Sequence, residues 1–227
     1  MSNALPLPAD ASAPPGKVAG YAIAACAVLT IVMIAMHPQA QHRHMSDVVA
    51  EIGRLAPMLA FVHGTVLAFV IVLLYGMCVY SLRRGVRREL VLGALVVYAA
   101  GTGVMVLAAL IDGFLIPAVA QVYAGASPEV LRDGASILGA CGAAIQVLSK
   151  FGVVALSAAI ALWSADLVGD GGRPRIAAVI GFAAALISVT VLFAEGRFIV
   201  PLTLSIIVIA QGIWYIAIAS LLIQRRV

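Results

Sequence analysis

Residues 56–88 read APMLAFVHGTVLAFVIVLLYGMCVYSLRRGVRR. No Asp, Glu, Lys or Arg interrupts the stretch from Ala56 to Leu82. As a helix it is about 40 Å long at roughly 1.5 Å per residue, enough to cross the roughly 30 Å of hydrocarbon in a bilayer. Arg83, Arg84, Arg87 and Arg88 end it abruptly. A long apolar helix closed by a short basic loop reads as a membrane span whose loop stays on the cytoplasmic side.

The rest of the chain repeats this pattern. Apolar runs extend over Val18–Met36, Ala56–Leu82, Leu90–Val119, Ile137–Leu167, Ile176–Glu195 and Val200–Ile223. With 63% hydrophobic residues, 11% charged residues and a mean hydropathy of +1.12, the composition excludes an ordinary soluble domain. The runs are continuous in Ala, Leu, Val and Ile rather than alternating, which excludes a β-barrel. The expected fold is an all-α, six-helix transmembrane bundle with both termini cytoplasmic. Gly101, Gly103, Gly139 and Gly142 are expected where helices approach closely.

Nine of the fourteen basic residues fall on the predicted cytoplasmic side: Lys17, the four loop arginines, Arg173, Arg175, Arg225 and Arg226. The net charge of +4 is therefore the mark of membrane orientation and no argument for nucleic acid. Residues 1–17, rich in Pro, Ala and Ser, read as a disordered cytoplasmic tail, residues 18–223 as the transmembrane domain and residues 224–227 as a basic C-terminus. The expected location is a bacterial inner membrane.

Cys26, Cys78 and Cys141 lie in three different runs, which gives neither a disulfide framework nor a CxxC motif. Phosphate-binding, dinucleotide, zinc-protease and serine-hydrolase motifs are absent, so no catalytic residue is assigned.

Polar residues inside the runs carry the remaining information. All four histidines, His37, His42, His44 and His63, fall across the end of the first run, the connection after it and the start of the second. Counting the helical rise outward from Leu82 puts His63 about 28 Å up, near the outer boundary. The same count puts Asp112 roughly 33 Å above Leu90 and Lys150 about 24 Å from the end of the fourth run, with Gln146 one turn further out. Glu195 ends the fifth run on that side. His63, Asp112, Gln146, Lys150 and Glu195 thus share an outer layer, whereas Gln211 falls near mid-membrane.

A charge facing lipid costs at least about 2.5 kcal/mol, so Asp112 and Lys150 are expected to face the bundle interior, either as an ion pair or as pocket walls. Imidazole nitrogens suit zinc, copper and haem iron, and Asp112 adds an oxygen donor. His37, His42, His44 and His63 are the candidate metal ligands, with Asp112, Gln146, Lys150 and Glu195 as a surrounding pocket. Met33, Met36, Met45 and Met58 add thioethers compatible with Cu(I).

The expected function is binding of a transition metal or a haem-type cofactor in a redox or metal-handling role. A small-solute or proton-coupled transporter and an accessory subunit of a membrane complex are the alternatives. Expected partners are the lipid bilayer, a metal ion or small amphipathic ligand, and a membrane protein or a second copy. Ser46–Leu59 is open to two readings, a surface helix turning at Pro57 or an extension of the second span. Ser127 and Pro128 suit the start of a short capping helix in the other outer loop.

Overall fold

The computed structural model describes residues 16–37, 44–194 and 199–226. All regular structure among them is helical, and six helices are long and apolar enough to cross a membrane. They are α1 (Gly16–Ala35), α2 (Met45–Arg84), α3 (Glu89–Tyr123), α4 (Pro128–Leu167), α5 (Gly172–Ala194) and α6 (Pro201–Ile223).

Each helix contains one of the apolar runs, and what ends it is local chemistry. After α2, Gly85 takes φ 92°, a left-handed conformation that favours glycine, and its N–H donates to the Leu82 carbonyl at 3.3 Å. Arg83 and Arg84 in the last turn complement the negative end of the helix dipole. Between α4 and α5, a 3₁₀ turn at Val168–Asp170 leads into Gly171 at φ 67°.

Two helices are longer than the hydrophobic runs suggested. α2 and α4 have 40 residues each, about 60 Å, roughly twice the hydrocarbon thickness. α2 runs unbroken through Pro57, so Ser46–Leu59 is an extension of the span rather than a separate surface helix. Likewise, Ser127 is the N-cap residue and Pro128 the first residue of α4 itself, not of a separate capping helix.

Sequence neighbours pack side by side, and α6 returns to pack on α1, closing the six helices into a ring. The half near the basic loop is filled by aromatic rings. Trp163 stacks on Trp214 with centroids 5.9 Å apart, Tyr98 tilts against Trp163 at 5.3 Å, and Tyr80 meets Trp163 edge-on at 6.0 Å. Both tryptophans and Tyr80 are fully buried. At that same end Arg84 Nε donates to Asp166 at 2.8 Å, Arg84 also pairs with Asp170, and Arg88 Nη2 reaches the other oxygen of Asp166 at 2.8 Å.

Close helix approach uses a different set of glycines from most of those expected. Gly101 does pack, since a Cβ there would lie 3.0 Å from the Ala155 Cβ. Gly103, Gly139 and Gly142 face open space, and the tight contact between α1 and α6 is at Gly20, where a Cβ would come within 2.8 Å of the Ala219 carbonyl oxygen.

Candidate metal centre

At the end of the ring opposite the arginines, three side chains from three helices converge. His37 lies two residues past the end of α1, His63 lies within α2, and Asp112 projects from α3. The Asp112 Oδ2 atom is 3.2 Å from His63 Nε2 and 3.7 Å from His37 Nε2. The two imidazoles meet edge to face with centroids 5.0 Å apart.

Asp112 belongs to a widened, π-helical turn over Ile111–Leu115, closed by the Ile116 N–H donating to the Ile111 carbonyl. Pro117 supplies a local reason. It has no N–H to give the previous turn, and its ring crowds the carbonyl four residues back, so the extra residue relieves the clash. The next residue, Gly113, lies directly against the His63 side chain, and a Cβ there would come within 2.5 Å of the imidazole Cγ. The turn therefore delivers a carboxylate beside the ring and removes the side chain that would displace the ring.

The second nitrogen of His63 fixes the chemistry of the first. Nδ1 lies 2.9 Å from the Leu59 carbonyl oxygen, which only accepts hydrogen bonds, so Nδ1 carries a proton. Nε2 then has two states. It is protonated as well, making an imidazolium that donates to Asp112, or it presents a lone pair towards a carboxylate. A lone pair facing an anion is repulsive unless a cation lies between them. A histidine whose far nitrogen is tied to a backbone carbonyl is the usual arrangement of a metal ligand.

The spacing fits a small ion. In a tetrahedral site with bonds of about 2.0–2.2 Å, neighbouring donors are about 3.3–3.6 Å apart. The two histidine-to-aspartate distances of 3.2 and 3.7 Å bracket that range, and all three donor atoms lie within 4.8 Å of one another.

Beneath the triad a cavity of about 210 Å³ runs into the bundle. Its walls include Val62, Val66, Val70, Met105 and Leu156, and its deep end reaches Tyr98, Gln211 and Tyr215. Gln211 is held there by a 3.3 Å hydrogen bond from its side-chain amide to Ser157 Oγ.

The other candidate residues are placed elsewhere. His44 is exposed at the N-cap of α2 and is not one of the three converging groups. His42 and Glu195 lie outside the described residues. The Gln146 side-chain oxygen accepts the Ile199 backbone N–H at 2.7 Å, and neither Gln146 nor Lys150 lines the cavity. Met36, Met45 and Met58 are exposed, whereas Met105, which the sequence reading passed over, lines the cavity. The run Asp112-Gly-Phe-Leu-Ile-Pro117 was the available sign of an irregular turn: an acid, a glycine and a proline within one otherwise apolar span.

Compared with protein-family models, curated proteins and solved structures, the chain matches none.

Proposed function

We propose that this chain is a multi-pass protein of a bacterial inner membrane, with both termini cytoplasmic, and that it binds one divalent transition-metal ion through His37, His63 and Asp112 near the outer face. The observation that carries the reading is the convergence of two imidazole Nε2 atoms on one oxygen of Asp112, with the His63 Nδ1 atom committed to Leu59. Two imidazoles and a carboxylate suit zinc and Cu(II), and three protein ligands leave a fourth position open to a ligand from the cavity.

Haem suits this donor set poorly. Asp112 Oδ2 lies within 3.7 Å of both Nε2 atoms, where the porphyrin of a bis-histidine haem would have to sit. The cavity ends on Tyr98 and Tyr215, which pack on the buried Trp163 and Trp214, and this supports binding over passage of a solute through the ring. The orientation rests on the basic residues: Arg84 and Arg88 lie at the end of the bundle opposite the triad.

Equilibrium zinc titration of the purified protein, with elemental analysis of the dialysed complex, tests the proposal. One ion per chain is expected, with affinity lowered at least about a hundredfold by His63→Ala or Asp112→Asn and unchanged by His44→Ala. Binding without one-to-one stoichiometry, or equal affinity in the Asp112→Asn protein, overturns it.

A further inference from the structure

The triad sits at the mouth of a long apolar cavity, and the pairing of the two narrows what the open metal position accepts. Along α3 the cavity runs from Asp112 to Tyr98, and along α2 from His63 to Leu73, a depth of roughly 15–20 Å by helical rise. Between those limits Val66, Val70 and Leu156 present hydrocarbon, and Tyr98 and Tyr215 form the floor with centroids 6.3 Å apart. Over that depth the lining is mostly apolar, which suits an alkyl chain laid along the helices.

Charge selects the head. A divalent ion bound by two neutral imidazoles and one carboxylate leaves a net charge of +1 beside an apolar chamber, where unbalanced charge is costly. A monoanionic head cancels it and fills the fourth coordination position, whereas a zwitterion or a neutral carbonyl leaves it unbalanced. Ligand sites commonly combine an apolar body with a few polar groups at one end, and here those groups are the metal ligands.

Resting on the metal site argued above, we propose that the cavity binds a single-chain carboxylate amphiphile, a fatty acid, with its carboxylate on the metal and its tail inside the ring, among α1, α2, α3, α4 and α6, directed at Tyr98 and Tyr215. The ring of helices thereby takes a molecule that partitions into the bilayer and presents its head group to a metal near the outer face. The closed floor bounds the length of tail that fits.

The test uses full-length protein in nanodiscs loaded with cobalt(II), whose visible bands respond to a change of ligand. Laurate and acetate are titrated against the wild type and against Val70→Phe, which narrows the cavity about two turns below His63 without touching the ligands; Val66→Phe serves as a second narrowing variant against misfolding. Laurate is expected to shift the bands at concentrations at least tenfold below acetate in the wild type, and the narrowing variants to bind cobalt normally while losing that preference. A cobalt-loaded wild type that responds equally to laurate and acetate overturns the fatty-acid assignment and leaves the metal site standing. Laurate preference that survives both narrowing variants overturns the placement of the tail. Failure to load cobalt removes the metal site and this inference with it.

Discussion

The Nδ1 atom of His63 stands 2.9 Å from the carbonyl oxygen of Leu59, one helical turn earlier on α2. That contact assigns the tautomer without reference to any ligand, because a backbone carbonyl has no proton to give. It also makes the helix that carries His63 the device that aims it: the ring is held at one nitrogen by its own backbone and presents the other to Asp112.

A spectroscopic outcome follows. In protein labelled with ¹⁵N at histidine, zinc is expected to move the Nε2 resonance of His63 and to leave Nδ1 in the range of a protonated nitrogen. Coordination through Nδ1 would reverse the pattern and would require the Leu59 bond to break.

Metal affinity should depend on pH with a definite sign. An imidazole ligates only after its Nε2 proton has left, so protons and metal compete for His37 and His63. Affinity is therefore expected to fall as the pH is lowered from about 8 to about 5, by up to two protons displaced per ion. Zinc titrations at a series of pH values measure the slope; an affinity independent of pH across that range would exclude two histidine ligands.

Gly113 links the irregular turn of α3 to the ligand on α2. An added methyl group would meet the His63 Cγ at 2.5 Å and Nδ1 at 2.9 Å, so the ring or the helix must move. Gly113→Ala is expected to cost about 1–3 kcal/mol of stability as an overpacked contact and to weaken zinc binding at the same time. Gly139→Ala, with nothing within 4 Å of the added carbon, is the control and should leave zinc affinity unchanged and stability equal or raised by up to about 1 kcal/mol through helix propensity. Calorimetric or thermal-shift melting in detergent gives the first quantity and zinc titration the second. An alanine at position 113 that leaves both unchanged would mean that the turn does not constrain the ring.

The parts of this arrangement that could be read from the sequence are those that counting determines. Helical rise is constant, so the distance of His63 from Leu82 and of Asp112 from Leu90 placed both at one level, and they meet there. Counting gives depth but not direction around the helix axis. Counting puts Gln146 and Lys150 in the same outer layer, yet neither lines the cavity, because which face of α4 turns inward is decided by packing against α3 and α5. The start of α2 was ambiguous for a related reason: Pro57 reads as a boundary, whereas the helix continues through it. His37 was legible as a candidate because it closes an apolar run, but its selection over His44 depended on where the end of α1 lies relative to α2 and α3.

At the opposite end, the pairing of Arg84 with Asp166 supplies a prediction about stability. Their side chains are 8% and 2% exposed, and Nη2 approaches Oδ2 to 2.5 Å while also reaching the Asp166 backbone carbonyl at 3.2 Å. Asp166 additionally engages Arg88, so the acid at the end of α4 ties together the end of α2 and the residue preceding α3. Removing one partner of a buried pair leaves the other charge without compensation, which typically costs about 3–5 kcal/mol. Asp166→Ala strands Arg84 with Asp170 and takes the buried partner from Arg88, so a loss of about 3 kcal/mol is expected, at the low end because Asp170 remains. Asp170→Ala should cost much less, since its side chain is 33% exposed and Arg84 keeps the buried acid. The triad lies at the other end of the bundle, so zinc affinity in folded Asp166→Ala protein should match the wild type. Unfolding in mixed micelles, followed by tryptophan fluorescence from Trp163 and Trp214, measures the stability difference. Equal stability of the two aspartate variants would show that the network at this end is solvated surface charge rather than a clamp.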